Sequence, residues 1–451
     1  MVSERTSVAG LELAQHVLGL AEQEGATEAE VLLLGGEEQL TRFANSQIHQ
    51  NVAETNTQIS LRYIVGKQVG VAGTNRLDDE SLRRLIHSAA DIARLQPERE
   101  DFHGLPEGGA LKQVQGAASS STAAASPEHR ADGAQAVIAA ADEAGVLAYG
   151  SFKTVTERIA VANSRGIHAE EERTYAHLIT VSMGPDGESG HAETAAVDVD
   201  EIDAAAIGRE AAAKASASRN AQHLDPGDYP VVLEEYAVVD LLDMLGYMGF
   251  SALAVQEERS FFEPGKKVGS ELVSIWDDAA DPAGTPASFD YEGVAKQRVQ
   301  LVERGKCVEV VYDAQTAGKA GRHSTGHGLP APNPWGPFPL NQLMAAGDQT
   351  REGLVGGVER GLLVTRFHYT NPVHPKLAIV TGMTRDGLFL VEGGEVRGPV
   401  RNLRFTQSYL HALAGVEAVG SSRRLLRGFL GSVVVPAVRI SSFTFTGATE
   451  H

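Results

Sequence analysis

Apolar and polar residues alternate in the N-terminal part of this chain with two different periods, which predict helices and strands. Between positions 11 and 24 the apolar residues fall near one face of a helix: Leu11, Leu13, Val17, Leu18 and Leu20. Four stretches have the period of a strand, at 30–34, 40–44, 55–65 and 67–74. A second helix, over 82–95, follows acidic residues that complement its dipole. Together these elements predict an α/β unit.

A low-complexity stretch of Ala, Ser and Thr at residues 115–126 comes next and predicts a flexible linker. Ser126 and Pro127 then start a helix that ends near Gly145, because proline suits the first helical turn. Three strands and an Ala-rich helix follow, at 146–153, 154–162, 167–183 and 203–218. The Asp-Pro-Gly-Asp turn at 225–228 predicts a domain boundary.

The last segment is rich in strands. It opens with a short strand at 231–233 that leads into a long apolar helix at 237–250. Further strands are predicted at 271–276, 297–302, 306–312, 361–369, 376–385, 387–392, 395–400 and 433–445. Two loops interrupt them, a Gly-, Pro- and His-rich loop at 317–342 and a shorter one at 370–375.

These patterns predict an α+β fold with several domains, since 451 residues exceed one ordinary domain. We place an N-terminal α/β domain at 1–114, the linker at 115–126 and a central α/β domain at 127–227. A larger, β-rich C-terminal domain takes residues 228–451.

Charge and composition narrow the class of protein. The formal net charge is -20 at pH 7. The negative electrostatic field of such a protein repels phosphate backbones, so we expect no direct nucleic-acid binding. No apolar run approaches the ~18 residues of a membrane helix, and residues 1–7 lack the apolar core of a signal peptide. A cytoplasmic protein with no membrane partner is therefore expected. The single cysteine, Cys307, excludes an internal disulfide and a multi-cysteine zinc site.

Four histidines in or beside the two C-terminal loops are candidates for a binding cleft. His323 and His327 are four positions apart, but the glycines and proline around them disfavour a helix that would align both imidazoles on a metal. His368, Asn371 and His374 lie at a predicted strand end and in the adjoining loop. Loops on a rigid β scaffold often form binding surfaces, so we consider these five residues candidates for a substrate cleft. The alternative is that the histidines brace loops or lie on the surface.

Carboxylates cluster around the start of the apolar helix at 237–250: Glu234, Glu235, Asp240 and Asp243. Paired carboxylates can carry out acid–base chemistry, but no histidine or nucleophile converges on them in the sequence. A solvated helix start is the simpler interpretation. The chain has no GxGxxG after a strand, no Walker A loop and no G-x-S-x-G elbow, so nucleotide cofactors have no support.

Several passages resemble, in order, the TldD/PmbA family, also called modulators of DNA gyrase. They are residues 42–51, 59–70, 163–166, 324–327, 361–364, 381–383, 387–400 and 402–405. The resemblance implies, for proteolytic members, two zinc-binding histidines in a His-Glu-x-x-x-His helix, with the motif glutamate as general base, and a third ligand, a cysteine near the C-terminus. Here the helix at 237–250 has no histidine, and Asp243 and Met248 stand at the two histidine positions. Residues 424–436 contain no cysteine.

The pattern is similar to the TldE (PmbA) branch, whose members share the fold, lack the zinc site and pair with a TldD subunit. The resemblance implies a curved or barrel-like C-terminal sheet. It also implies a non-catalytic subunit of a cytoplasmic metallopeptidase complex that degrades or matures unfolded or small peptides. No cofactor is then expected in this chain, and zinc is expected in the TldD-like partner.

Three questions stay open at this point. The chain could form a homodimer rather than a heterodimer with a TldD-like catalytic subunit. It could be a stand-alone peptidase or hydrolase that uses a different site in the C-terminal loops. It could also be a peptide-binding scaffold with no proteolytic partner.

Overall fold

A computed structural model describes residues 10–429 and 431–448 of the chain. The N-terminal residues 1–7, considered above for a signal peptide, lie outside the described residues. The helices are α1 Gly10–Gln23, α2 Asp79–Leu95, α3 Ser120–Ala123, α4 Pro127–Glu143, α5 Ala204–Ala217, α6 Glu235–Met248, α7 Ala252–Gln256, α8 Ala314–Lys319, α9 Arg351–Gly356 and α10 Tyr409–Ala414. In the part of the chain that the structure describes, none is long and apolar enough to cross a membrane.

Local sequence signals set the starts of the longer helices, and the predicted helices are confirmed. Asp78 caps α2 by accepting a hydrogen bond from the Ser81 backbone N–H at 2.9 Å. Ser126 caps α4 in the same way, accepting from the His129 N–H at 3.2 Å. These caps satisfy N–H groups that would have no partner within the helix.

One antiparallel sheet unites the N-terminal and central parts of the chain, in the order β3-β2-β1-β4-β5-β6. Its strands are β1 Glu28–Ala44, β2 Gln47–Val65, β3 Gln68–Thr74, β4 Leu147–Asn163, β5 His168–Met183 and β6 Ser189–Ala196. Strands β1 and β4 pair from Glu30↔Asn163 to Phe43↔Gly150. Each of these observed strands covers two shorter strands predicted from the sequence, because the hydrogen-bonded ladder between β1 and β4 is continuous.

A glycine keeps β1 unbroken where two strands were predicted. Gly36 has a φ of +145°, and a Cβ built there would lie 2.0 Å from the Thr156 carbonyl oxygen of β4. Only glycine allows the two backbones to approach so closely. The strand β6 was not predicted, because its sequence consists mostly of small residues and alternates weakly.

The stretch predicted as a linker, residues 115–126, contains the short helix α3 and packs on the central domain. The Thr122 side chain is 2 % exposed. Its hydroxyl donates a hydrogen bond to the Val197 carbonyl at 2.7 Å and accepts one from the Val199 N–H at 2.8 Å. Thr122 therefore ties this stretch to the segment that follows β6.

The C-terminal strands are β7 Gly227–Leu233, β8 Ile275–Asp277, β9 Val299–Glu303, β10 Lys306–Cys307, β11 Asn341–Met344, β12 Arg360–His374, β13 Ile379–Glu392, β14 Glu395–Pro399, β15 Leu403–Ser408, β16 Val416–Val419, β17 Arg424–Arg427, β18 Ser432–Val435 and β19 Val438–Ala448. One sheet closes on itself, because β12-β7-β19-β15-β13 is completed by pairing of β13 with β12. Strands β14 and β16 pair with β13 and β19. The expected α+β fold with a barrel-like C-terminal sheet is confirmed.

A second C-terminal sheet has the order β10-β9-β8-β11-β18-β17. The predicted strand 433–445 divides between the two sheets, because Pro436 lies between β18 and β19 and cannot donate to a ladder. Strands β17 and β18 therefore belong to the second sheet. The chain then returns to the closed sheet as β19.

The predicted loop at 370–375 is wrong, because β12 continues to His374. Asn371 pairs with Thr381 and Pro372 with Val380, with shifts of register on both sides. These irregularities let a strand contain a proline that has no N–H to donate. Tyr369, with a φ of +53°, begins the irregular part.

Helix α6 follows β7 and packs on β12. It begins two residues before the predicted start and ends at Met248, where Gly249 follows. Its apolar side is buried in the largest core of the described residues, through Leu241, Leu242 and Leu245. The helix is consequently fixed, with one side available for polar residues.

Candidate functional site

Helix α6 presents two carboxylates on one face. Asp240 and Asp243 are three positions apart, so they are neighbours on the helix surface, and Tyr247 extends the same face. The Asp240 carboxylate accepts a hydrogen bond from the Thr370 hydroxyl at 2.5 Å and another from the Tyr409 hydroxyl at 2.6 Å. This carboxylate therefore ties α6 to strand β12 and to the start of α10.

The second carboxylate ties the same helix to the C-terminal segment. Asp243 accepts a hydrogen bond from the Phe429 backbone N–H at 2.7 Å. Gly428 lies so close that an added Cβ would be 2.6 Å from the Asp243 Oδ1 atom. The close approach of the turn after β17 to α6 therefore requires glycine at this position.

Both carboxyl groups are harder to ionise than ordinary aspartates. Burial raises the pKa of Asp240 to about 6, against the opposing effect of the two hydroxyl donors. Burial also raises the pKa of Asp243 to about 7, and the nearby Asp240 adds to the rise, whereas the Phe429 N–H lowers it. Such groups can hold or release a proton near neutral pH.

The interpretation of this acidic cluster as a solvated helix start is wrong. Glu234, at the N-cap of α6, is 2 % exposed. It accepts a hydrogen bond from the Lys214 ammonium of α5 at 2.6 Å and a short one from the Arg351 guanidinium of α9. The sequence has no local signal for these partners, which are 20 and 117 positions away.

Tyr236 lies beside this ion pair and extends it to the C-terminal segment. The Lys214 ammonium and the Arg424 guanidinium lie 4.7 Å and 5.1 Å from the centre of its ring. Glu210 accepts from the Tyr236 hydroxyl at 3.0 Å and pairs with Arg424 at 3.0 Å. The network joins the central domain, the start of α6 and strand β17.

His327 lies in the interior of the protein. It is 0 % exposed, as is its partner Asp277. Its Nε2 atom is 2.8 Å from Asp277 and its Nδ1 atom 2.9 Å from the Thr325 hydroxyl. Burial lowers the pKa of His327 and Lys296 lowers it further, against the attraction of Asp277. The arrangement is that of a loop-bracing histidine.

Several groups stabilise the negative charge of the Asp277 carboxylate, which His327 contacts. Burial alone would raise the pKa of Asp277, but Lys296 and His327 hold it well below its ordinary value. Lys296 lies 3.4 Å away, and the Asn341 backbone N–H donates to the same carboxylate at 2.7 Å. Asp277 therefore fixes the loop at 317–342 to strands β8 and β11.

The other four candidate cleft residues lie at two places. His323 is exposed in the loop after α8, which is not helical, as its glycines predicted. His368, Asn371 and His374 lie together along the end of β12, with Asn371 and His374 exposed. Asn371 donates to the Tyr369 carbonyl at 2.9 Å. The structure brings these three together on one strand, and the substrate-cleft role of all five residues stays a prediction.

A cleft of about 860 Å³ separates β3 and the end of α2 from the proline-rich loop that follows His327. Arg62 and Glu292 line the cleft, and Arg62 pairs with Glu292 at 3.2 Å and with Glu30 at 2.6 Å. Burial raises the pKa of Glu292 to about 8, against the effect of Arg62. The Arg62–Glu292 pair joins the N-terminal sheet to the C-terminal domain, and no local sequence pattern predicts it, because the two residues are 230 positions apart.

Three family models match the chain in the order of its sequence. They are the PmbA/TldA metallopeptidase domain 1 over residues 29–93, the central domain over 121–219 and the C-terminal domain over 226–447. The chain belongs to the PmbA/TldD metallopeptidase family. The resemblance inferred from the sequence is thereby confirmed.

Relatives in this family are named metalloproteases. A metalloprotease of Methanothermobacter thermautotrophicus is 27 % identical over 295 residues, which cover 62 % of this chain and 64 % of that protein. A metalloprotease TldD homolog of Buchnera aphidicola subsp. Acyrthosiphon pisum is 26 % identical over 212 residues, covering 45 % of this chain and 42 % of the relative. The matched regions thus span less than two thirds of either relative.

The fold is similar to that of a solved structure, the crystal structure of TldE from Thermococcus kodakarensis. The TM-score is 0.88 at 20 % sequence identity, and the match covers 96 % of this chain and 100 % of that one. This likeness concerns the fold, which places α6 and the turn after β17 side by side.

The side chains on α6 do not fit the zinc site of the family's proteolytic members. Zinc sites in proteins use imidazole, thiolate or carboxylate ligands that converge on one point. Asp240 and Asp243 instead accept from hydroxyl and amide donors. Among residues 10–429 and 431–448, no group of three or more His, Cys, Asp or Glu side chains could hold a metal ion.

Proposed function

We propose that this chain is a non-catalytic, TldE-like subunit of a cytoplasmic metallopeptidase complex of the TldD/TldE type, which degrades or matures unfolded or small peptides. One observation carries the proposal. On helix α6, Asp243, which the sequence resemblance places at a zinc-ligand histidine position, accepts a hydrogen bond from the Phe429 backbone N–H of the C-terminal segment.

The chemistry of peptide hydrolysis supports a complex in which the TldD-like partner is catalytic and this chain is not. A zinc peptidase needs converging metal ligands and a base that activates the bound water. The carboxylates on α6 accept hydrogen bonds from Thr370, Tyr409 and Phe429, and among the described residues no group of three or more His, Cys, Asp or Glu side chains could hold a metal ion. A TldD-like partner with the His-Glu-x-x-x-His motif would supply the zinc and the base, and this chain would shape the compartment and help hold the peptide.

Co-expression with a TldD-like protein from the same genome tests the proposal. We expect the two chains to co-purify and the pair to cleave unfolded peptides, with zinc stoichiometric to the partner. Cleavage should fall strongly when either chain is omitted. A partner that cleaves equally well alone, or stoichiometric zinc bound to this chain alone, would refute the subunit role.

The alternative of a stand-alone peptidase that uses the histidine loops has weaker support. His327 has no exposed surface, and its imidazole is committed to Asp277 and Thr325. Alanine replacement of His323, His368 and His374 in the isolated chain separates the alternatives. Peptide cleavage by the chain alone that depends on these residues would favour the stand-alone enzyme. Peptide binding without cleavage in any pairing would favour the scaffold.

A further inference from the structure

The turn between β12 and β13 exposes an unusual amount of apolar surface. We define the hairpin tip as residues 369–377. Within it Tyr369 is 80 % exposed, Val373 56 % and Leu377 52 %. Single exposed apolar residues are ordinary, whereas several within one short hairpin indicate a surface that binds another molecule.

The charge of the same hairpin is opposite to that of the chain. The chain carries a net charge of -20, yet no Asp or Glu occurs from Arg360 to Arg385. Lys376 and Arg385 are exposed there. The adjacent strand β15 contains no acidic residue either, and it contributes the exposed Arg404. Of the two acidic residues that flank this stretch in the sequence, Glu359 is exposed, whereas Asp386 is 2 % exposed and is bound to Arg366.

The hairpin tip is held at a fixed place relative to α6. Thr370, within the tip, donates to Asp240 at 2.5 Å. Three positions further along α6, the turn that Asp243 binds exposes Phe429 to 69 %. Exposed apolar residues therefore flank the helix face that carries Asp240 and Asp243.

We propose that the hairpin tip docks on an acidic and apolar face of a TldD-like subunit, an inference that rests on the proposed function. A second copy of this chain fits less well. In a two-fold symmetric dimer with the hairpin tip on the symmetry axis, Lys376 would face Lys376 of the other copy, a repulsive contact. An acidic face on a different subunit would pair with Lys376 while its apolar residues cover Val373 and Leu377.

Binding of the purified, full-length chain to the TldD-like protein from the same genome tests this surface. The variants are the double substitution Val373→Ser with Leu377→Ser, and the charge reversal Lys376→Glu. Leu95→Ser is the matched control, since Leu95 is 84 % exposed on α2, in another domain. We expect each tip variant to raise the Kd by about tenfold or more, and the control to bind with the Kd of the wild type. Weakening by Lys376→Glu should shrink at high salt.

The remaining outcomes separate this inference from the proposed function. If the wild-type complex forms and both tip variants bind with unchanged Kd, the docking surface is wrong while the subunit role stands. If the chain alone forms a dimer that the tip substitutions dissolve, the occupant is a second copy and the inference is overturned. If the wild-type chain binds no TldD-like protein, the proposed function fails and the inference with it. A midpoint temperature of thermal unfolding equal to that of the wild type would verify that the tip variants are folded.

Discussion

The carboxylate of Asp243 accepts a hydrogen bond from the backbone N–H of Phe429 across 186 positions of sequence. The contact joins helix α6 to the turn between β17 and β18, the two segments from which proteolytic relatives are expected to supply zinc ligands.

Replacing Asp243 by asparagine should stabilise the protein above neutral pH. The raised pKa of Asp243, about 7, means that the folded protein holds a proton that the unfolded chain releases near pH 4. Stability therefore falls as pH rises from about 4 to about 7, and an uncharged asparagine avoids this loss while its oxygen still accepts from Phe429. We expect Asp243→Asn to gain ~2 kcal/mol over wild type at pH 8 and much less at pH 5.

Urea unfolding at the two pH values measures this difference. Asp132→Asn is the control, because Asp132 is exposed on α4. It should leave the free energy of unfolding nearly unchanged at both. A loss of stability in Asp243→Asn that is equal at pH 5 and pH 8 would contradict the prediction.

Removing the Tyr409 hydroxyl should destabilise the fold, because Asp240 would keep only the Thr370 donor. Losing one partner of a buried polar group costs about 1 to 3 kcal/mol. We expect Tyr409→Phe to lower the free energy of unfolding by that amount. Tyr247→Phe is the matched control on the same helix face, where Tyr247 is 39 % exposed, and it should change stability by less than about 0.5 kcal/mol. Equal effects of the two substitutions would argue against the role of Asp240 as a tie.

Glu234→Ala should destabilise the protein strongly. The substitution leaves the Lys214 ammonium buried with one fewer carboxylate and removes the partner of Arg351. Breaking a buried ion pair from one side costs about 3 to 5 kcal/mol. The neighbouring Glu235→Ala is the comparison and should cost far less. Chemical denaturation of both variants measures the difference. Similar midpoints would show that Glu234 contributes no more to the free energy of unfolding than Glu235 does.

His323 and His327 should respond differently to alanine replacement. His327→Ala leaves the buried Asp277 without a partner at 2.8 Å, which should cost about 2 to 4 kcal/mol. His323 is exposed, so His323→Ala should leave stability within about 0.5 kcal/mol of wild type. Differential scanning calorimetry of the two variants decides. A stable His327→Ala variant would remove the bracing role assigned to that histidine.

Most of the regular structure followed from local patterns, and the exceptions have physical causes. The helices begin and end close to the predicted positions, because caps such as Asp78 and Ser126 are local signals. The strand end at 370–375 was missed because pairing with β13 holds Pro372 in a strand despite its missing N–H. Strand β6 was missed because small residues alternate weakly.

The acidic residues on α6 show where sequence reasoning reached its limit. Their positions were evident, but their state was misjudged, since a helix start rich in carboxylates ordinarily faces water. Lys214, Arg351 and Thr370 reach these carboxylates from other elements. Partners so distant in sequence leave no periodic or compositional trace near the helix.

The sequence by itself determined the family and the α+β class, because these depend on residue identity and local periodicity. Only the tertiary structure decided that Asp240 and Asp243 are bound to Tyr409 and Phe429, and that His327 is interior. It alone also placed the basic hairpin tip beside α6. These relationships arise from strand pairing and chain closure across more than a hundred positions, where burial and contact, rather than residue type, set the chemistry of each side chain.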